Sequence, residues 1–251
     1  MTGEVSIRAV PDLPEFEAGM EVGTEIAARA ELEPGDVVVV SQKIVSKAEG
    51  RLRRLSSVLP GAEARRLAAH LEGKDPALVQ LVLDESAEVL RAVRSVLIVE
   101  TKHGLVCANA GIDSSNLPGE DVVCLLPEDP DASARRIRAE LGTATGVAPL
   151  GVVVADSFGR AWRLGQAEVA IGCAGLAPLD DWRGRRDCSG RELEATLIAI
   201  ADEAAAAADL VRDKASGTPA AVVRGLGRYV GDEDGPGAAT LRRPREEDLF
   251  R

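Results

Sequence analysis

Residues 152–160 read Val-Val-Val-Ala-Asp-Ser-Phe-Gly-Arg, an apolar run that gives way to a carboxylate, a hydroxyl and a basic side chain. Three consecutive β-branched valines favour a buried strand, and we expect this strand to end at Asp156. Residues 36–40, in which four valines follow Asp36, and residues 220–223 are strand-like runs of the same kind. The sequence therefore predicts several buried strands, one of which presents an acidic side chain where it ends.

Helical patterns separate these strands. Apolar side chains at helical spacing predict helices over residues 63–71 and 78–90, and a longer alanine-rich helix over residues 190–210. Asp129-Pro130 is a start signal for another helix. Residues 96–108 are typical of a hairpin that leads into a second acidic block.

That second block reads Ala-Asn-Ala-Gly-Ile-Asp-Ser-Ser-Asn at residues 108–116, with Asp113 just past a predicted strand. A single Asp or Ser after a strand is often turn chemistry. Two such acids, each beside hydroxyl or amide groups, suit a hard cation such as Mg²⁺ or Mn²⁺. Zinc is disfavoured, because the two histidines and four cysteines lack ligand spacing.

A third block, Val-Ser-Gln-Lys-Ile-Val-Ser-Lys-Ala-Glu-Gly at residues 40–50, places hydroxyls, an amide and two lysines after a strand. It suits an anionic ligand such as a nucleotide phosphate, although the chain has neither a P-loop nor a dinucleotide fingerprint. Together the three blocks predict metal-assisted phosphoryl chemistry. Arg160 and Arg163 either clamp a phosphate or carboxylate, or neutralise nearby acids.

Composition excludes several classes of protein. The 251 residues include 30 basic and 41 acidic side chains, a net charge of -11, so nucleic acid has no electrostatic partner here. Aromatic residues make up 2%, too few for base-stacking platforms. No stretch approaches the ~20 apolar residues that span a bilayer. We expect a soluble cytoplasmic protein with reduced cysteines and no membrane partner.

Seven segments in order resemble the F420-0 gamma-glutamyl ligase family. They are Leu13-Pro14-Glu15-Phe16, Val-Ser-Lys-Ala-Glu-Gly-Arg (45–51), Asn-Ala-Gly-Ile-Asp-Ser-Ser-Asn (109–116), Asp-Ser-Phe-Gly-Arg-Ala-Trp-Arg (156–163), Gly-Arg-Glu-Leu-Glu-Ala-Thr (190–196), Ala-Asp-Glu (201–203) and Pro-Ala-Ala-Val-Val-Arg-Gly (219–225). The likeness covers nearly the whole chain, so we expect one ligase domain over residues 1–251. Bacterial two-domain members continue into a flavin-binding nitroreductase-like domain; with only the ligase half here, no flavin is expected.

The resemblance implies a mixed α+β fold of sheets with flanking helices, assembled as an intertwined homodimer. It implies GTP-dependent ligation of L-glutamate to coenzyme F420-0, in coenzyme F420 biosynthesis, first as an amide and then by a gamma-linkage. An acyl phosphate would be the intermediate. It also implies a divalent ion, Mn²⁺ or Mg²⁺, often with a monovalent ion such as K⁺.

The resemblance also assigns roles by motif. Asp113 and Asp156 become catalytic metal ligands, with Ser157 where the family usually has threonine and Asp213 replacing a Glu or Gln ligand. The GTP-contacting segments carry over to Leu13, Pro14, Glu15, Phe16, Ser41, Gln42, Lys47, Asn116 and the loop Val211, Arg212, Asp213, Lys214, Ala215, Ser216, Gly217 and Thr218. This loop departs most from the family pattern.

Two alternatives stay open. A ligase of the same fold could act on another acid acceptor or amino acid, or the altered loop could leave a non-catalytic nucleotide- or coenzyme-binding protein.

Overall fold

The computed structural model describes residues 3–117, 119, 121–212 and 217–249. The strands in chain order are β1 (Ser6–Ala9), β2 (Val37–Ser41), β3 (Leu52–Arg54), β4 (Ser86–Val93), β5 (Val96–Thr101), β6 (Val106–Ala108), β7 (Val122–Cys124), β8 (Gly151–Arg160), β9 (Arg163–Ala174), β10 (Asp180–Asp181), β11 (Leu197–Ile198) and β12 (Ala220–Arg224). The α-helices are α1 (Val22–Ala27), α2 (Gln42–Ala48), α3 (Ala62–His70), α4 (Pro76–Asp84), α5 (Pro130–Thr145) and α6 (Ile200–Asp209). The α+β class is confirmed.

The main sheet consists of five strands in the order β1-β12-β2-β8-β9. β2 and β8 run parallel, and the other neighbours run antiparallel. The parallel register sets Ser41, the last residue of β2, beside Ala155. The end of β2 therefore lies directly next to Asp156, and the helix α2 begins at the same edge.

Helices cover both faces of the main sheet, as the continuous valine runs predict for strands buried on two sides. Val38 and Val40 of β2 pack towards α1 and α5, whereas Val37 and Val39 pack towards α6. The alanines of α6 are buried, which lets this helix lie close to the sheet. Alternate side chains of β2 therefore belong to two separate apolar cores, one on each face of the sheet.

The described residues between positions 52 and 124 form a small lobe beside the main sheet. It contains the antiparallel pair β3-β7, the three-stranded sheet β4-β5-β6, and the helices α3 and α4. Its own apolar core includes Val79, Val82, Leu97 and Val99. The predicted hairpin over residues 96–108 is confirmed as β5-β6. This lobe carries Asp113 on the segment between β6 and β7.

Two predicted helices are too long. The helix expected over residues 78–90 ends at Asp84, because the following residues form β4 and pair with β5. The helix expected over residues 190–210 begins only at Ile200, because residues 180–198 fold back on themselves through the β10-β11 pair and backbone bonds such as Leu193 N to Arg185 O. In both places pairing between strands overrides local helical spacing.

The strand expected to end at Asp156 is also longer than predicted. β8 continues to Arg160 and forms a hairpin with β9, so Asp156 lies inside the strand opposite Val169. Gly172 of β9 lies against the start of α5, where a Cβ atom would come within 2.2 Å of the Pro130 carbonyl oxygen. Among the described residues, no helix is long and apolar enough to cross a membrane.

Candidate functional site

A cavity of about 430 Å³ opens between the main sheet and the small lobe. This volume is within the range of small-molecule sites. Its described lining includes fourteen of the residues singled out from the sequence, namely Leu13, Pro14, Glu15, Phe16, Ser41, Gln42, Lys47, Asp113, Asn116, Asp156, Ser157, Arg212, Gly217 and Thr218. Segments separated by up to 200 residues in sequence therefore meet at one place.

Asp156 reaches the cavity from the middle of β8. Its Oδ1 accepts a hydrogen bond of 2.9 Å from the backbone N–H of Ser157. Burial, together with the neighbouring carboxylates of Glu168 and Asp113, raises the pKa of Asp156 to about 7, against the opposing effects of the Ser157 N–H and Lys43. Asp156 is therefore a carboxylate whose negative charge is poorly compensated.

Asp113 reaches the cavity from the small lobe. Backbone hydrogen bonds in both directions with Cys124 fix its position beside β7. Burial alone would raise the pKa of Asp113, but hydrogen bonds from Lys43 and Ser115 outweigh it and hold this pKa below its ordinary value. Asp113 is therefore a well-compensated carboxylate, in contrast to Asp156.

The helix α2 supplies two lysines to the cavity. Lys43 Nζ donates to Asp113 Oδ2 at 2.7 Å, to the Ser115 carbonyl at 2.8 Å and to Ser115 Oγ at 2.9 Å. Lys47 Nζ pairs with the carboxylate of Glu15 and donates to the Asn116 carbonyl at 3.3 Å. One turn of helix separates the two side chains, so both reach the same wall.

A buried ion pair forms the wall beneath Asp156. Arg212 Nη2 lies 3.0 Å from Glu168 Oε2, with side chains only 6% and 8% exposed. Glu168 Oε1 in turn accepts a 2.5 Å hydrogen bond from Ser157 Oγ. The β8-β9 register, which pairs Ser157 with Glu168, creates this contact. The start of the loop after α6 is thereby tied to the main sheet.

The electrostatics of the cavity suit a divalent cation. Lys43, Lys47 and Arg212 each pair with a carboxylate, whereas Asp156 forms no ion pair with any described residue. Within the described part of the chain, no three His, Cys, Asp or Glu side chains are placed to hold a metal ion by themselves. Two carboxylates and a hydroxyl match the way Mg²⁺ is bound together with substrate phosphates rather than in an all-protein cage.

Several predicted site residues lie elsewhere. Val211 packs against the core on the α6 face of the sheet. Arg160 and Arg163 lie at the turn of the β8-β9 hairpin, outside the cavity that the described residues form, and Arg160 donates to the carbonyls of Leu164 and Gly165. A clamp by these arginines, one of the two roles considered for them, would therefore act outside this cavity. Asp213, Lys214, Ala215 and Ser216 lie outside the described residues.

Other lining residues were not among the sequence candidates: Lys43, Ile44, Ser115, Glu168, Asp209 and Pro219. Lys43 stands in the block 40–50 that suggested an anion site, so its signal was present. Glu168 is an acid directly before an apolar run in residues 169–174. Only the β8-β9 register, which the sequence analysis did not predict, brings it to Ser157.

Residues 12–225, which carry the described cavity lining, match the model of the family described as F420-0:Gamma-glutamyl ligase. The chain belongs to this family. Among curated relatives, it is 47% identical over 255 residues to a coenzyme F420:L-glutamate ligase of Haloarcula marismortui, covering 98% of this chain and 96% of the relative. Relatives with the same name are 43% identical in Methanothermobacter thermautotrophicus, covering 98% and 99%, and 40% identical in Methanocaldococcus jannaschii, covering 96% and 94%.

Membership of the F420-0:gamma-glutamyl ligase family agrees with the resemblance stated for the sequence. The matched region contains both acidic blocks and the lysine-bearing helix α2. In this family member, the two aspartates come from different lobes and face a common cavity.

Proposed function

We propose that this protein is a ligase that joins L-glutamate to coenzyme F420-0, using GTP and passing through an acyl phosphate. One observation carries the proposal: Asp113 and Asp156 face the same cavity as the segments 13–16, 41–42 and 217–218 expected to contact the nucleotide. The relatives named as coenzyme F420:L-glutamate ligases support the substrate pair.

In the proposed reaction, a carboxylate oxygen of the coenzyme attacks the terminal phosphorus of GTP, and the bond to the β-phosphate oxygen breaks to release GDP. The glutamate amine then attacks the acyl carbon, loses a proton, and inorganic phosphate leaves. No side-chain nucleophile is needed. Catalysis is mainly the positioning of two substrates and the stabilisation of charge on phosphate oxygens.

The chain's own residues divide this work. Lys47, on α2, binds the phosphates as a point charge. The Arg212–Glu168 pair holds the start of the nucleotide loop against β9, and Ser157 is oriented by its hydrogen bond to Glu168. Segment 13–16 closes the cavity on the side of Lys47, through the Glu15 carboxylate. These contacts place the reacting atoms before any bond changes.

Asp113, Asp156 and the Ser157 hydroxyl are the residues that would hold Mn²⁺ or Mg²⁺, with K⁺ as a possible companion ion. A bound divalent ion supplies neutralisation of the developing phosphate charge. The raised pKa of Asp156 supports this role, because a cation relieves the repulsion among the neighbouring carboxylates. Asp213 remains a proposed further ligand outside the described residues.

The test is to incubate the purified protein with GTP, MnCl₂, L-glutamate and coenzyme F420-0 and to follow the coenzyme by mass spectrometry. We expect mass increases of one or more glutamyl residues, with GDP and phosphate released in equal amounts. Asp113→Asn and Asp156→Asn should each abolish product while the protein stays folded by circular dichroism. Turnover at the wild-type rate in either variant would refute the metal assignment.

The same experiment separates the two alternatives. Product from a different acid acceptor or amino acid, with none from coenzyme F420-0 and glutamate, would indicate a ligase of another specificity. Tight binding of GTP without any product would indicate a binding protein. An intertwined homodimer remains a proposal that sedimentation equilibrium can test on the same sample.

A further inference from the structure

Lys43 is the second residue of α2 and lies in its first turn, two positions after the N-cap residue Ser41. A positive charge in the first turn opposes the helix dipole, so helix stability does not explain a lysine at this position. The side chain instead crosses from the main sheet to the small lobe and is only 15% exposed. Its contacts with the small lobe therefore explain its place.

The ammonium group of Lys43 is enclosed by oxygens of one short loop. Its three donors meet a carboxylate, a carbonyl and a hydroxyl, namely Asp113 Oδ2, Ser115 O and Ser115 Oγ, at 2.7 to 2.9 Å. These are the oxygen types that hard cations use in proteins. Lys43 thus places a positive charge where the Asp113 carboxylate meets the cavity.

The carboxylate of Asp113 has few free lone pairs while Lys43 is hydrogen-bonded to it. Oδ2 accepts from both Lys43 Nζ and Ser115 Oγ, and Oδ1 accepts from the Ser115 backbone N–H at 2.8 Å. A carboxylate oxygen has two lone pairs, so Oδ2 is fully used. A metal ion can bind this oxygen only if one of the two donors leaves it, and of the two only the ammonium carries a charge that repels the ion.

Resting on the proposed function, we propose that Lys43 is a positioning residue that competes with the divalent ion for Asp113 in the nucleotide-free protein. Phosphate groups entering the cavity offer the ammonium a new anionic partner and free the Asp113 oxygen. Metal affinity and nucleotide affinity are then coupled, and by linkage each ligand strengthens the binding of the other. The divalent ion is held tightly only when a nucleotide is present.

The test measures Mn²⁺ binding to nucleotide-free protein by electron paramagnetic resonance, so that no turnover is needed. Lys43→Met should tighten Mn²⁺ binding about tenfold, equivalent to about 1.4 kcal/mol, because the competing charge-assisted hydrogen bond is gone. Lys43→Gln is a second neutral variant that should behave alike. Lys43→Arg keeps the charge and should not tighten binding.

Two controls separate competition from other effects. Lys47→Met removes an equal charge from the same cavity, but Lys47 pairs with Glu15 rather than with Asp113. The tightening should be absent there, and it should also disappear when Lys43→Met is combined with Asp113→Asn. Circular dichroism confirms that each variant is folded.

The direction of the change in Mn²⁺ affinity distinguishes competition by Lys43 from a purely structural role. If Lys43 only anchored the loop, its removal would weaken Mn²⁺ binding. Weaker or unchanged binding in both neutral variants, no detectable binding in any protein, or equal tightening in Lys47→Met would overturn the proposal. Product formation by the wild-type protein, measured separately, tells whether the proposed function fails as well.

Discussion

Replacing Asp156 by asparagine should make the metal-free protein more stable while it removes activity. The side chain lies in the wall of the cavity, forms no ion pair with a described residue, and faces the carboxylates of Glu168 and Asp113. Asparagine keeps the shape and can still accept the hydrogen bond from Ser157. The substitution therefore removes a repelled negative charge with little change in packing.

The magnitude follows from the raised pKa of Asp156. The pKa of this carboxyl rises from 3.8 to about 7 on folding. At about 1.36 kcal/mol per pH unit, the ionised carboxylate therefore lowers the free energy of unfolding by about 4 kcal/mol. Solvent at the open cavity reduces this to about 2 kcal/mol. This destabilisation is absent below the unfolded-state pKa, grows as the pH rises from 3.8 to about 7, and has its full value at higher pH. Asp156→Asn should thus raise Tm by about 4–8 °C at pH 8, and by about half as much at pH 5.5.

Differential scanning calorimetry with EDTA present is the assay. In buffer without EDTA, MnCl₂ together with GDP should raise Tm of the wild-type protein more than that of Asp156→Asn, since the variant keeps Lys47 but lacks the ligand charge. A variant less stable than wild type at pH 8, or a difference that does not shrink towards pH 5.5, would refute the reasoning that Asp156 is an uncompensated carboxylate.

Three further predictions concern other parts of the molecule. Lys47→Ala should weaken GDP binding about tenfold in a calorimetric titration, because it removes a point charge from the phosphates; an unchanged Kd would contradict that role. Gly172→Ala should lower the free energy of unfolding by about 1–3 kcal/mol in urea melts, because its Cβ would overlap the start of α5, whereas Gly142→Ala, with nothing within 4 Å, should raise it slightly. Cys188 is exposed and should react with Ellman's reagent at pH 8 in the native state, whereas burial raises the pKa of Cys173 to about 12 and should keep it unreactive until urea is added.

Much of the main sheet could be predicted from the sequence. Continuous valine runs such as residues 37–40 and 152–154 have few ways to be buried other than as inner strands covered on both faces. The blocks around Asp113 and Asp156 likewise carry their own local signal, an acid beside hydroxyls near a strand. Such features depend on neighbours in sequence, so the sequence alone indicates them.

What could not be predicted depends on pairing between distant segments. Some of residues 86–93 have apolar side chains at helical spacing. Pairing of this segment with β5 nevertheless stabilises the fold more than an extension of α4 would. Glu168 becomes a site residue only because β9 pairs with β8 in a register that sets it opposite Ser157. Lys43 and Lys47 both donate to the loop of residues 113–116, and they differ in the carboxylate that each pairs with, Asp113 for Lys43 and Glu15 for Lys47.

The two aspartates are held by elements with separate apolar cores, and this has a consequence for how the protein loses activity. Asp113 is held by the small lobe and Asp156 by the main sheet, so the spacing of the acids is only as durable as the weaker of the two cores. Heating or limited proteolysis that unfolds the small lobe alone would abolish activity, while most of the circular dichroism signal of the protein would persist. Preparations judged intact by spectroscopy can therefore be inert, and ligands that bridge the lobes should be the best preservatives.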